Sequence, residues 1–138
     1  MSKTAVVFSP KYYQHNPGTS HPESAKRLGA IVNELKRGKL SRSKNWQFVE
    51  PEKARVEEVE LVHDIDYIKF VEAVCRSGGG ILDMGDTVVS HESFEVALYA
   101  VGGTLKAVKL VMEKRFENSF ALVRPPGHHA GEFSASGF

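Results

Sequence analysis

The sequence predicts an α/β domain with a mostly parallel sheet and helices on its faces. Three observations carry that reading: an apolar, largely β-branched run over residues 4–8, a second apolar run over 120–123, and helical periodicity in the stretches between them. Strands that alternate with helices pair in parallel through right-handed crossovers. A chain of 138 residues suffices for one domain with its own core and is too short for two of ordinary size. One domain over residues 1–138 is expected.

Residues 4–8 read as a strand apolar enough to be covered on both faces. The polar stretch 12–20, with Pro17-Gly18, reads as a loop. Pro22 suits a first helical position and Glu23 complements the positive helix end, which predicts a helix over 22–37. Its Leu28, Ile31, Val32 and Leu35 follow one i, i+3, i+4, i+7 stripe, and Gly38 suits a left-handed cap. Trp46 to Val49 alternates as a short strand, and Pro51 leads into helical turns around 56–61. Asp64 can cap a helix over 65–76 that Gly78-Gly79-Gly80 ends. After a loop through Asp83, Gly85 and Asp86, Ser90 can cap a long helix to about residue 115. Ala97, Val101, Leu105, Val108 and Met112 recur in it at spacings of four and three. Gly102-Gly103 weakens that helix by about 1 kcal/mol per residue relative to alanine, which points to close backbone packing there. Residues 120–123 then read as a buried strand.

Composition excludes several classes of function. Charged residues make up 25% and apolar ones 41%, the mixture of a globular protein, and the apolar runs fall far short of the roughly 20 residues of a membrane span. The first ten residues lack the long apolar segment of a signal peptide, so a cytoplasmic location is expected. Cys75 stands alone, which excludes an internal disulfide and an intrachain thiolate zinc cluster and leaves it a packing role. A net charge of +1 offers no global attraction to nucleic acid or anionic membranes. Lys36, Arg37, Lys39, Arg42 and Lys44 could meet phosphates, yet such a run beside a helix end ordinarily reads as a solvated loop. Nucleic acid is not an expected partner.

Chemistry concentrates in Arg124-Pro125-Pro126-Gly127-His128-His129-Ala130, on the loop leaving the last predicted strand. Open α/β sheets place their sites on such loops, beyond the carboxyl ends of strands. A Pro-Pro-Gly turn lets both imidazoles face one cavity, whereas a regular strand would point them apart. One ring can then act as general base and the other as a charge-stabilising partner. Two loop histidines bonded to backbone and water are the alternative. His63, Asp64 and Asp66 form a local cluster, but the helix-capping role explains Asp64 better than metal binding does. His15, His21 and His91 are separated singles, read as loop residues rather than ligands.

These residues resemble the histone deacetylase superfamily, which includes acetoin-utilisation proteins and acetylpolyamine amidohydrolases. Beside the histidine pair, the segments His21-Pro22-Glu23-Ser24-Ala25-Lys26-Arg27-Leu28, Val62-His63-Asp64-Ile65-Asp66-Tyr67-Ile68 and Asp86-Thr87-Val88-Val89-Ser90 agree in order and approximate spacing. Gly137-Phe138 resembles the next dipeptide of the pattern. The resemblance implies the amino-terminal half of an arginase-like three-layer α/β/α fold and a family reaction in which a zinc-bound water hydrolyses an acetyl amide. It makes His129 the general base and His128 its electrostatic partner. By the same likeness Asp86 matches a rim carboxylate that holds substrate backbone, Arg27 lies beside an acetate-release channel, and Phe138 lines the tunnel for an acyl-lysine stem. Read without the resemblance, Asp86 is a turn or cap residue, Arg27 a surface charge and Phe138 a core aromatic.

One departure from the pattern is severe. The family draws its zinc ligands from an Asp-x-His strand end and a later Asp; no Asp-x-His occurs here, and nothing matches the carbonyl-polarising tyrosine. Zinc is therefore expected in a complete family domain and not in this chain by itself, which is expected to be inactive alone. A complementary carboxyl-terminal segment, or self-association, is the expected partner, since half a parallel sheet leaves an open edge and uncovered apolar area. The alternative is a non-catalytic assembly protein that associates through that edge. An arginase-like ureohydrolase ranks lower because its manganese-ligand motifs are absent.

Overall fold

β1 (Thr4–Val7) lies at the centre of the sheet because both of its faces are apolar. Val6 and the following Phe8 pack with Leu28 and Val32 of α1 (Ala25–Arg37), while Ala5 and Val7 pack with Ala107 and Leu110 of α4 (Ser93–Met112). Helix, sheet and helix thus form three layers, as the period-two alternation of β1 requires. The computed structural model describes residues 3–138; Met1 and Ser2, at the head of the segment weighed as a signal peptide, lie outside the described residues. β2 (Trp46–Val49) and β5 (Asn118–Ala121) flank β1, both parallel to it, with Val6 opposite Phe48 on one side and Phe120 on the other.

Several expected boundaries moved, each for a physical reason. α1 begins at Ala25, capped by Ser24, whose Oγ accepts from the Lys26 amide at 3.2 Å. Pro22 and Glu23 stay outside because Glu23 is drawn into the interior. Gly38 is extended at φ −78° rather than left-handed. α2 (Val56–Val59) is shorter than expected, and α3 (Ile65–Arg76) has the expected cap, with Asp64 Oδ1 accepting from the amides of Asp66 and Tyr67. Gly78 and Gly79, at φ of 112° and 105°, end α3 and open a two-stranded hairpin instead of a loop. Its strands, β3 (Gly79–Ile81) and β4 (Val88–Ser90), are antiparallel. Ser90 therefore belongs to a strand, and α4 starts at Ser93, whose Oγ accepts from the Ser90 amide at 2.8 Å. The last strand ends two residues early and forms an outer strand rather than a buried one, leaving Phe120 54% exposed.

α4 carries two apolar faces. Val96, Ala100, Gly103, Ala107 and Leu110 are buried toward the sheet. The stripe singled out in the sequence, Ala97 to Met112, faces away: Leu105, Val108 and Met112 are exposed. Gly102 does bring backbones together, since a Cβ there would collide with the Glu52 carbonyl, while one on Gly103 would collide with the side-chain hydroxyl of Tyr12. Cys75 is buried, and burial pushes its thiol up. Among the described residues no helix is long and apolar enough to cross a membrane.

Gly102→Ala should destabilise the fold by about 1–3 kcal/mol despite its better helix propensity, because the obstructing atom is backbone. Gly29→Ala, which meets nothing within 4 Å in α1, should stabilise by up to about 1 kcal/mol. Urea unfolding of the two variants measures the contrast.

Candidate functional site

The chain leaves β5 into the interior. Arg124 is fully buried, and its Nε and Nη2 donate to the two carboxylate oxygens of Glu23 at 2.9 and 2.7 Å. Nη1 donates to the carbonyls of Tyr12 and His15 at 2.6 and 2.8 Å. A guanidinium is tolerated without water only when its donors are met in this way. His15 is buried beside this pair, with Nδ1 2.7 Å from Ser93 Oγ and Nε2 3.4 Å from Glu23 Oε2, beyond good hydrogen-bond geometry. Burial raises the Glu23 carboxyl, but the contacts from His15 and Arg124 and their charges outweigh it and hold it at about 2. One set of proton positions satisfies the groups as far as His15 Nδ1, leaving Nε2 without a hydrogen bond: the Asn16 amide donates to Ser90 Oγ, Ser90 to Ser93, and Ser93 to His15 Nδ1.

From this anchor Pro125-Pro126-Gly127 turns the backbone out, and the Ala130 amide closes the turn on the Gly127 carbonyl at 3.0 Å. His128 and His129 are both exposed, their ring centroids 4.3 Å apart and tilted by 51°. Gly137, at φ 70°, lies against the His129 ring so closely that a Cβ there would stand 2.6 Å from its Cδ2. Phe138 meets His21 edge-on at 5.1 Å. His21 Nδ1 accepts from the Glu23 amide at 3.1 Å, so the proton sits on Nε2, which donates to the Asp86 carbonyl at 2.7 Å.

A cavity of about 690 Å³ adjoins the loop. Arg27, His128 and Phe138 line it, facing the apolar outer stripe of α4 at Val101 and Leu105. His129 and Asp86 are not on its wall. Asp86 is exposed on the hairpin loop and joins the site through its backbone carbonyl. Of the five residues that the resemblance marks for the site, three thus line one cavity, together with His15 and His63, while His129 lies against Gly137 and Asp86 meets His21 through its carbonyl. His91 is exposed, its Nδ1 3.7 Å from Glu92 Oε1. The buried network of Glu23, His15, Ser93 and Arg124 was not foreseen, although Arg124 and Glu23 were both in view as opposite charges inside matched segments.

Zinc requires about three converging protein donors. Among the described residues no three His, Cys, Asp or Glu side chains are grouped to hold a metal ion. Within the local cluster, His63 Nδ1 donates to the Gly131 carbonyl at 2.9 Å and Asp64 caps α3. The residues present do not fit a zinc site.

Residues 21–138 match the histone deacetylase domain model. The chain belongs to the histone deacetylase family and has its arginase-like α/β fold. It is 38% identical over 135 residues to a probable deacetylase of Archaeoglobus fulgidus, covering 98% of this chain and 37% of that protein. It is 35% identical over 118 residues to histone deacetylase 8 of Arabidopsis thaliana, covering 86% of this chain and 31% of that one. The crystal structure of the HDA15 HD domain superposes with a TM-score of 0.89 at 29% identity, over all of this chain and 40% of that one. The chain therefore spans well under half the length of these relatives.

Because the folded Glu23 carboxyl lies below its ordinary value of 4.5, its contribution is present above pH 4.5 and lost as pH falls toward 2. Glu23→Gln should flatten that acid limb and destabilise by about 3–5 kcal/mol at pH 7, leaving Arg124 buried and unpaired. Thermal unfolding from pH 2 to 7 reads both effects.

Proposed function

We propose that this chain supplies the histidine-bearing part of a deacetylase site, the family reaction being zinc-dependent hydrolysis of an acetyl amide such as acetyl-lysine or acetylpolyamine. The observation that carries the reading is the loop itself: two neighbouring imidazoles on a turn anchored by a buried ion pair, with His128, Arg27 and Phe138 on one cavity. In this proposal His129 takes a proton from the attacking water and returns it to the leaving amine, while His128 stabilises the charge. Asp86 holds the substrate backbone, Phe138 flanks the acyl stem, and Arg27 faces the route of the departing acetate. The zinc of a complete domain would draw its ligands from outside the described residues, so the chain alone is proposed to be inactive. A cytoplasmic setting belongs to the same reading, in keeping with a single buried cysteine. Supplied with zinc and the carboxyl-terminal segment of a relative, the chain should hydrolyse an acetyl-lysine reporter, and His129→Ala should lower kcat by about 10²–10⁴-fold. A correctly assembled complex without turnover contradicts the proposal.

A second reading, a non-catalytic assembly protein, draws support from one observation. The outer stripe of α4 and Phe120 on the outer strand leave apolar surface uncovered. On that reading the purified chain self-associates at micromolar concentration. Light scattering that shows a stable monomer would count against it.

A further inference from the structure

The His63-Asp64 segment is the one matched motif that the proposed chemistry leaves unused. We propose that His63 is a positioning residue that sets the far end of the His128–His129 loop, an inference that rests on the reading of that pair as the proton-handling groups.

The loop has two ends to secure. At Arg124 four hydrogen bonds to Glu23, Tyr12 and His15 hold the near end. Beyond the histidines, the bonds from Ala130 to Gly127 and from Gly131 to Ser134 shape the loop locally and tie it to nothing else. The far end meets the body of the protein where His63 Nδ1 donates to the Gly131 carbonyl at 2.9 Å and the Asp64 amide donates to the Glu132 carbonyl at 2.9 Å. Two consecutive residues before α3 thus stitch two consecutive residues of the loop, the first of them two positions past His129. The base of the stitch is rigid, because the Asp64 carboxylate caps α3 through the amides of Asp66 and Tyr67. Tyr67 also packs edge-on against the His63 ring at 5.5 Å and holds its orientation. A carbonyl can only accept, so Nδ1 carries the proton, and in the neutral ring Nε2 is left with its lone pair. His63 lines the same cavity as His128. It does not touch His128 or His129; it acts through the backbone between them.

The cap on α3 belongs to Asp64, so removing the imidazole should release the loop and spare the helix. Amide hydrogen exchange and histidine ring resonances, measured by NMR on the full 138-residue chain, test this. His63→Ala should speed exchange at Asp64, Ala130 and Gly131 by roughly three- to tenfold and shift the His128 and His129 ring signals, with the Val6 and Leu110 amides unchanged. His63→Asn, whose amide nitrogen can stand where Nδ1 stood, should restore slow exchange and the wild-type ring signals. His91→Ala is the control at an exposed histidine and should change neither. Loop amides and ring signals that do not respond to His63→Ala overturn the proposal. So does equal acceleration in the core amides, which would mark a general structural role, and so does an Asn variant that behaves like Ala. These readouts need no turnover. A responsive loop in a chain whose reconstituted enzyme is inactive sinks the deacetylase reading alone, and an active enzyme with an unresponsive loop sinks this one.

Discussion

Arg124 emerges from the sheet into a place that water does not reach, and a charge so placed must find its partners within the protein. Four of its five N–H donors are met, two by the Glu23 carboxylate and two by the backbone carbonyls of Tyr12 and His15. The desolvation of an unpaired guanidinium amounts to several kcal/mol, so the pair is an obligation rather than an ornament of the fold. It draws Glu23 out of the helix it would otherwise begin, folds the Tyr12–His15 segment over the end of the sheet, and fixes the point from which the histidine loop departs. Everything proposed for His128 and His129 presupposes that point.

The same pair orders a wider set of groups. His15, Ser93 and Ser90 extend the polar contacts from Glu23 to the start of α4, and His21 carries them to Asp86 and Phe138. Polar groups in an interior reinforce one another when each is satisfied and are expensive when one is not. The segments that match the family pattern are therefore joined in space by hydrogen bonds as well as in order along the chain.

α4 shows what the chain holds in common with longer relatives and what it leaves open. A helix apolar around most of its circumference is suited to being covered on two sides. Here one side rests on β1 and β5, while the other borders the cavity at Val101 and Leu105 and reaches the surface at Val108 and Met112. The two functional readings differ in what lies over that second face: the rest of a deacetylase domain, or another copy of the chain.

Much of the fold was legible where neighbours along the chain decide the outcome. The continuously apolar strand β1, the Asp64 cap, the close approach at Gly102-Gly103 and the turn that presents the histidine pair all follow from local backbone and side-chain preferences. The β3–β4 hairpin was not legible, because its strands are three residues each, Gly-Gly-Ile and Val-Val-Ser, and neither carries an alternation. Nor could spacing say which of two apolar stripes on α4 would face the sheet. By itself the sequence determined the layered α/β class, the family pattern and the adjacent histidines on which the proposed chemistry rests. Tertiary structure alone decided that Glu23 is buried, that His15 joins it and that His63 reaches the loop, since each depends on partners such as Arg124, 101 residues away from Glu23, which no local preference can specify.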